Sequence, residues 1–302
     1  MDLAPIVLFV YNRPKHTQKM VESLLGNNLA KDSLLIIYSD GPKNEGVRND
    51  VVAVRNYLKT IIGFKEVMIV ESENNVGLSK SIIKGVTETV NQYDKVVVLE
   101  DDLVVAPNFL NYMNAGLDKY QNDHQIMQIS GYMYNVKLNI VDDALILPFV
   151  TGWGWGTWKR AWNLFSVMPR GYENLKGDKK MRFRFNLNDS YDYFGLLTSQ
   201  VLGKIDTWGI LWYLSVFINE GLAVHPTKTF VFNDGFDGSG TNCEPEGRPV
   251  QQPNFENTNL TFEFPNSLAV SEFENVIYKE MNKELNRGFT KRLTNKIKSL
   301  LR

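Results

Sequence analysis

Four short apolar runs, each followed by a stretch with helical spacing or by a turn, fill the first hundred residues. "PIVLFVYN" (5–12), "SLLIIYSD" (33–40), "EVMIVES" (66–72) and "KVVVLE" (95–100) read as buried strands. Between them, Pro14 to about Leu25, residues 46–62 and residues 77–93 have the spacing of amphipathic helices. Short apolar strands alternating with helices predict an α/β fold, a mostly parallel central sheet with helices on both faces. Ligands of such sheets bind outside the carboxyl ends of the strands. Those ends are polar here: Asn12-Arg13-Pro14, Ser39-Asp40-Gly41-Pro42, Asn74-Asn75-Val76-Gly77 and Glu100-Asp101-Asp102. Each loop alone is also ordinary turn or cap chemistry, but together they gather polar groups at one edge.

The acidic ending of "VVVLEDDLVVAP" (96–107) is the sharpest local feature. An unpaired buried carboxylate is costly, so something must meet these charges where the strand emerges. Strand alternation would place Glu100 and Asp102 on one side and Asp101 on the other. Two carboxylates at an open sheet edge suit a hard divalent cation, Mg²⁺ or Mn²⁺, which takes oxygen ligands and often only one or two from protein. Such a cation neutralises the charge that develops on a diphosphate leaving group. The competing reading is a solvated acidic cluster at a helix start before Pro107.

The second part of the chain changes character. Tryptophan and glycine crowd "TGWGWGTWKRAW" (151–162), "KIDTWGILWYLSVFINEG" (204–221) reads as a mostly buried helix, and 222–242 as a strand, a turn and a glycine-rich loop. Neither a linker nor an internal repeat stands out, which predicts one domain in two halves, residues 1–120 and 121–270, followed by a basic tail, 271–302. With 43% hydrophobic and 12% aromatic residues the chain can bury a substantial core. Its net charge of −1 gives no general attraction to nucleic acid. A single cysteine, Cys243, excludes an internal disulfide framework and points to a reducing, cytoplasmic compartment. The N-terminus lacks the pattern of a signal peptide, and no apolar run approaches the length of a membrane span.

"PIVLFVYNRP", "IIYSDGPK" and "VVVLEDDLVVAPNFL", in that order, resemble the nucleotide-sugar-binding half of glycosyltransferases with the GT-A fold. The acidic triplet followed by "LVVAPNFL" resembles the N-acetylglucosaminyltransferase I group, and "GWGWGTWKRAW" a segment of bacterial family 2-like glycosyltransferases. The likeness is good over about residues 4–120 and looser over 150–242. It implies a nucleotide-sugar donor half and a smaller acceptor-side half. Arg13 would contact the nucleotide and Asp40 the base, with uracil expected. Glu100 and Asp101 would touch the donor sugar and ribose, and Asp102 would bind the metal. Lys80, one turn into the third helix, would lie near the nucleotide or its phosphates, unless it is a solvated helix lysine.

The chemistry so implied is metal-dependent transfer of a sugar, with inversion, to a hydroxyl of a glycan or lipid-linked glycan. A carboxylate must deprotonate that hydroxyl. Asp206, beside Trp208 in "KIDTWGILW", is the candidate, the alternative being a helix N-cap. Trp153 and Trp155 are placed at the donor sugar, or else in a core plug between the halves. His225 is a conceivable metal ligand but reads better as structural, and Asp234 and Asp237 fall in a loop suited to closing over a donor. The rival function class is a nucleotide-sugar- or glycan-binding module without catalysis. A nicotinamide enzyme is disfavoured because no G-x-G-x-x-G follows the first strand. In the tail, Phe289, Leu293, Ile297 and Leu300 recur among eight Lys or Arg after Tyr278. That pattern predicts a basic amphipathic helix on the inner face of an anionic membrane, or a terminal helix packed by its apolar stripe.

Overall fold

Residues 2–140, 142–237 and 259–285 are described by a computed structural model. The first strand, β1 (Ile6–Val10), is buried along its whole length. Ile6, Leu8 and Val10 face one core cluster, and Val7 and Phe9 face another. An apolar run without polar alternation is what burial on both faces requires. Pro14 then starts α1 (Pro14–Leu25), where its missing N–H costs nothing. The alternation of strand and helix repeats through β2 (Leu34–Ser39), α2 (Arg48–Leu58), β3 (Glu66–Glu71), α3 (Leu78–Tyr93) and β4 (Lys95–Glu100), but β3, expected to be buried, is the half-exposed edge strand. The strands lie in the order β3-β2-β1-β4, all parallel. Helices α1 and α2 cover one face through Met20, Leu24, Val54 and Leu58. Helix α3 covers the other through Ile82, Val86 and Val90.

Beyond the acidic triplet come β5 (Leu103–Val105), α4 (Phe109–Lys119), β6 (Ile126–Ser130), β7 (Ala144–Leu147) and β8 (Trp155–Trp158). Short helices follow: α5 (Lys159–Trp162), α6 (Tyr172–Gly177), α7 (Lys179–Phe185) and α8 (Tyr193–Val201). Then come α9 (Trp208–Ile218), β9 (Leu222–Pro226) and β10 (Val231–Asn233). Strand β8 adds antiparallel to β4, and the sheet continues β6-β9-β7 to eight strands, mixed in direction on this side. A separate ribbon pairs β5 with β10. That ribbon brings the chain after residue 230 back beside the acidic triplet, where the Asp234 N–H donates to the Asp102 carbonyl at 2.7 Å. The α/β architecture expected from the sequence is therefore present.

The "GWGWGTW" segment supplies β8 and a buried aromatic stack. Trp155 stacks on Trp208 at 5.0 Å and packs against Trp162 and Trp212. Residues 274–285, the first part of the expected tail, are helical and bury Ile277, Tyr278 and Met281 in the core of the second half. The remainder of the tail and Cys243 lie outside the described residues. Among the described residues no helix is long and apolar enough to cross a membrane.

Candidate active site

At the carboxyl ends of β1, β2 and β4 lies a cleft of about 620 Å³. Arg13, Asp40, Glu100, Asp101 and Asp102 line it from the first half, and Trp153, Asp206, Asn233 and Phe236 from the second. Seven of the nine sequence-predicted site residues, all but Lys80 and Trp155, thus line one cleft.

Strand β4 stops at Glu100, and Asp101 and Asp102 form a turn. The expected alternation therefore does not continue past Glu100. Both aspartates instead face Arg13, whose Nη2 pairs with the Asp101 carboxylate and lies 3.2 Å from Asp102 Oδ2. The Tyr11 N–H also donates to Asp101, at 3.2 Å. The acids meet a cation brought by the first strand's own loop, and they lie ahead of β5, not at the start of α4. That removes the helix-start reading of the triplet.

The charges do not balance. One guanidinium faces three carboxylates, and Glu100 makes no hydrogen bond or ion pair among the described residues. Burial, then Asp102 and Asp101, push the Glu100 carboxyl up, to about 8. Burial pushes Asp101 up to about 6 against the pull of Arg13. A site short of positive charge fits a divalent cation. The described residues contain no cluster of three or more metal-ligating side chains, so the fit is to one or two carboxylates with water and phosphate completing the shell. Arg13 Nη1 is buried without a partner, an orphaned donor suited to an anionic ligand. Gly235 closes over Asp102: a Cβ there would stand 2.5 Å from Asp102 Oδ2.

Asp40 is differently placed. Its Oδ1 accepts from the N–H groups of Gly41 and Val76 at 2.8 and 2.9 Å. Its Oδ2 accepts from the Gly77 N–H and the Asn75 side-chain amide, each at 2.9 Å. These four bonds use the carboxylate's acceptor capacity, so Asp40 ties the loop after β3 to the end of β2. Gly77, at φ 85°, is the N-cap of α3 in a conformation that favours glycine. Behind this loop Phe9 and Tyr38 stack at 5.4 Å and line the cleft. Nothing local in the sequence marks this aromatic pair, whose members are register partners on adjacent strands.

Lys80 does not line the cleft. It borders a smaller neighbouring cavity of about 230 Å³, on the other side of Asp40 with Ser72 and Lys84. Of the two tryptophans, Trp153 lines the cleft and meets Tyr132 and Phe236 edge to face. Trp155 does not: it is fully buried in β8, so the donor contact expected of it is corrected to a core role. Helix α9 begins at Trp208 with Thr207 as N-cap. Asp206 is therefore not the cap expected as its alternative role. It is exposed at the cleft and unbonded among the described residues. His225 is fully buried, its Nε2 3.0 Å from the Phe149 carbonyl and its Nδ1 3.4 Å from that of Tyr132. Burial lowers its pKa to about 4, and its place is structural.

An open α/β sheet with a charged cleft at its carboxyl edge defines a protein that takes its ligand at that edge. The chain belongs to the GNT-I family, whose model matches residues 1–184. A curated relative, the alpha-1,3-mannosyl-glycoprotein 2-beta-N-acetylglucosaminyltransferase of Arabidopsis thaliana, is 28% identical over 131 residues. That match covers 38% of this chain and 30% of the relative's length. Among solved structures, the mannosyltransferase PcManGT from Pyrobaculum calidifontis, in complex with GDP-Man and Mn²⁺, superposes with a TM-score of 0.38 at 15% identity. It covers 54% of this chain and 48% of that one. TarS of S. aureus gives a TM-score of 0.39 at 14% identity, over 77% of this chain and 37% of that one.

Proposed function

We propose that the protein is a metal-dependent glycosyltransferase that moves a sugar from a nucleotide diphosphate donor, UDP-linked in the simplest case, to a glycan hydroxyl. The observation that carries this reading is the meeting of Asp206 with the Arg13–acidic-triplet cluster in one cleft, although more than a hundred residues separate them in sequence. Membership of the GNT-I family supports it.

In this reading the base stacks toward Phe9 and Tyr38, in the region whose loops Asp40 holds in place. The diphosphate lies toward Arg13, with its unpartnered Nη1 available to an anionic oxygen. Asp102, with Glu100 near it, would hold Mn²⁺ or Mg²⁺, which would supply charge neutralisation to the leaving diphosphate. The donor sugar lies toward Glu100, Asp101 and Trp153. Asp206 takes the proton of the acceptor hydroxyl as its oxygen bonds to the anomeric carbon and the bond to the diphosphate breaks. Because Asp206 comes from the second half and the triplet from the first, base and leaving group can occupy opposite faces of the sugar. That arrangement favours inversion. Lys80, one loop away from the cleft, acts at most on the phosphates' field. The basic tail would hold the enzyme against a membrane carrying a lipid-linked acceptor.

The test is a screen of nucleotide sugars for Mn²⁺-dependent turnover and thermal stabilisation, run in parallel on Asp102→Ala. A ligand that binds the native state at a hundred times its Kd raises stability by about 2.7 kcal/mol. Turnover with Mn²⁺ that is lost with chelator and in the variant supports the reading. Stabilisation by a donor without any turnover supports the non-catalytic binding module instead. Equal turnover by Asp102→Ala with or without chelator refutes the metal assignment.

A further inference from the structure

The sheet has two outer edges, β7 and β3, and the chain treats them differently. Along β7 its own later residues close the edge. The Ser271 N–H donates to the Ile146 carbonyl and the Asp143 N–H to the Glu263 carbonyl, each at 2.9 Å. At the other end, no strand among the described residues pairs with the outer side of β3. The backbone bonds that flank β3, from the Lys65 N–H to the Ser33 carbonyl and from the Ser72 N–H to the Ser39 carbonyl, both run inward to the β2 side. An open edge is a template for another strand, and chains that keep one unpaired set charge or proline along it. The charges of "EVMIVE" stand only at its ends, and Val67, Met68, Ile69 and Val70 leave its middle uncharged. Met68 is 39% exposed there. We propose that β3 is an interface and that its partner is β3 of a second copy, paired antiparallel so that the sheet continues across a two-fold axis.

The sequence selects the register. A two-fold axis that joins two sheets edge to edge stands perpendicular to them, so each face continues into the same face of the partner. Residues directly opposite must then point to the same face. Because side chains alternate, the axis passes through a residue and not between two. Centred on Met68, the pairing sets Lys65 opposite the partner subunit's Glu71, and Glu71 opposite the partner subunit's Lys65. Val67 meets the partner's Ile69, and Met68 meets its own copy. Opposite charges and apolar pairs directly across a ladder both stabilise it. Centred on Val67 instead, Lys65 would face the partner's Ile69. Centred on Ile69, Glu71 would face the partner's Val67. Between residues 65 and 71, the Met68 register alone sets opposite charges across the ladder.

The groups it uses are in place. Lys65 makes no ion pair among the described residues. Glu71 lies 3.3 Å from Arg55 and 3.9 Å from Lys59, which hold it at the edge, and a carboxylate has room for a further donor. Antiparallel pairing turns the carboxyl edges of the two sheets, and their clefts, in opposite directions, so neither cleft is covered. The inference stands apart from the reading of the cleft. A contact built on one strand pair falls at the small end of interfaces, below about 1,200 Å², and a dimer that dissociates in the micromolar range is expected.

Sedimentation equilibrium of the full chain, up to about 100 μM, is expected to show a reversible dimer of the 34.6 kDa chain. Met68→Lys sets two like charges face to face on the axis. It is expected to leave a monomer with an unchanged melting temperature. Lys65→Glu is expected to weaken the dimer about tenfold. The register is read by cross-linking in a Cys243→Ser background. Met68→Cys is expected to form an intermolecular disulfide on mild oxidation, since opposite Cα atoms in a ladder lie about 4.5–5.5 Å apart. Glu66→Cys is not, since its two copies would stand four residues apart along the ladder, about 13 Å. The proposal is overturned if the full chain is monomeric at the highest concentration, if the dimer persists in Met68→Lys, or if Glu66→Cys cross-links as readily as Met68→Cys.

Discussion

Four donors converge on the Asp40 carboxylate, and three of them are backbone N–H groups of the loops it joins. Removing the carboxylate leaves buried donors unpaired, each costing about 1–3 kcal/mol. Asp40→Ala is therefore expected to lower stability by at least about 3 kcal/mol in urea unfolding and to weaken nucleoside diphosphate binding as the loop loosens. Asp40 acting only as a direct contact to the base would lower affinity and leave the urea midpoint unchanged. Asp206 presents the opposite case, since no side-chain bond holds it among the described residues and its loss should not disturb the fold. Asp206→Asn is expected to retain donor binding and the wild-type melting temperature while transfer falls about 10²–10⁴-fold, the usual loss for a general base. Normal transfer by this variant would move the base elsewhere. Asp40 could be read in the sequence as the polar end of an apolar run, and Asp206 only as an acid ahead of the apolar helix that begins at Trp208. The four-bond saturation of Asp40 could not be read, because its partners include Asn75, Val76 and Gly77, brought near only when β3 pairs with β2.

At the scale of elements, the parallel strands could be read to within a residue or two, although β3, read as buried, is the half-exposed edge of the sheet. The expected 33–40 became Leu34–Ser39, 66–72 became Glu66–Glu71, and 95–100 is Lys95–Glu100. Strand β8 was not legible. Glycine disfavours strand, and nothing local in "WGTW" says that it will lie between β4 and β6. Its conformation comes from its neighbours. Strand β9 carries a pH-sensitive group into the sheet. His225 has its pKa lowered in the folded protein to about 4, against about 6.5 unfolded. A base depressed in this way stabilises the fold above about pH 6.5 and loses that contribution as pH falls toward 4, by up to about 1.4 kcal/mol per pH unit. Glu100 works in the opposite sense. Its pKa is raised, so without metal its penalty grows as pH rises from the ordinary carboxylate range toward 8. Between about pH 4.5 and 6.5 the two contributions oppose each other, so in melting followed from pH 4 to 8 in chelator His225→Gln is expected to turn this window into a fall of stability with rising pH and Glu100→Gln into a rise. An acid slope unchanged in His225→Gln would show that the imidazole does not carry it.

For the whole molecule, the question is what the last residues add to a body that is already closed. Residues 274–285 belong to that body, because Ile277, Tyr278 and Met281 are buried in the second half's core, Asn282 donates to the Ser190 carbonyl and Glu284 accepts from the Tyr132 hydroxyl. A cut ahead of them would confound any test of the tail with damage to the fold. A chain ending at Leu285 keeps this helix and removes Arg287, Lys291, Arg292, Lys296, Lys298 and Arg302 together with Phe289, Leu293, Ile297 and Leu300. Each basic residue near an anionic surface adds about 1 kcal/mol, and the attraction fades as salt screens it. The full chain is expected to co-sediment with phosphatidylserine vesicles at low salt and to be released at high salt. The shortened chain is expected to stay in the supernatant with its melting temperature preserved. Turnover of a water-soluble acceptor should be the same for both, while a lipid-linked acceptor in vesicles should be used faster by the full chain. Equal partitioning of the two forms to the vesicles would reject the tail as the membrane contact.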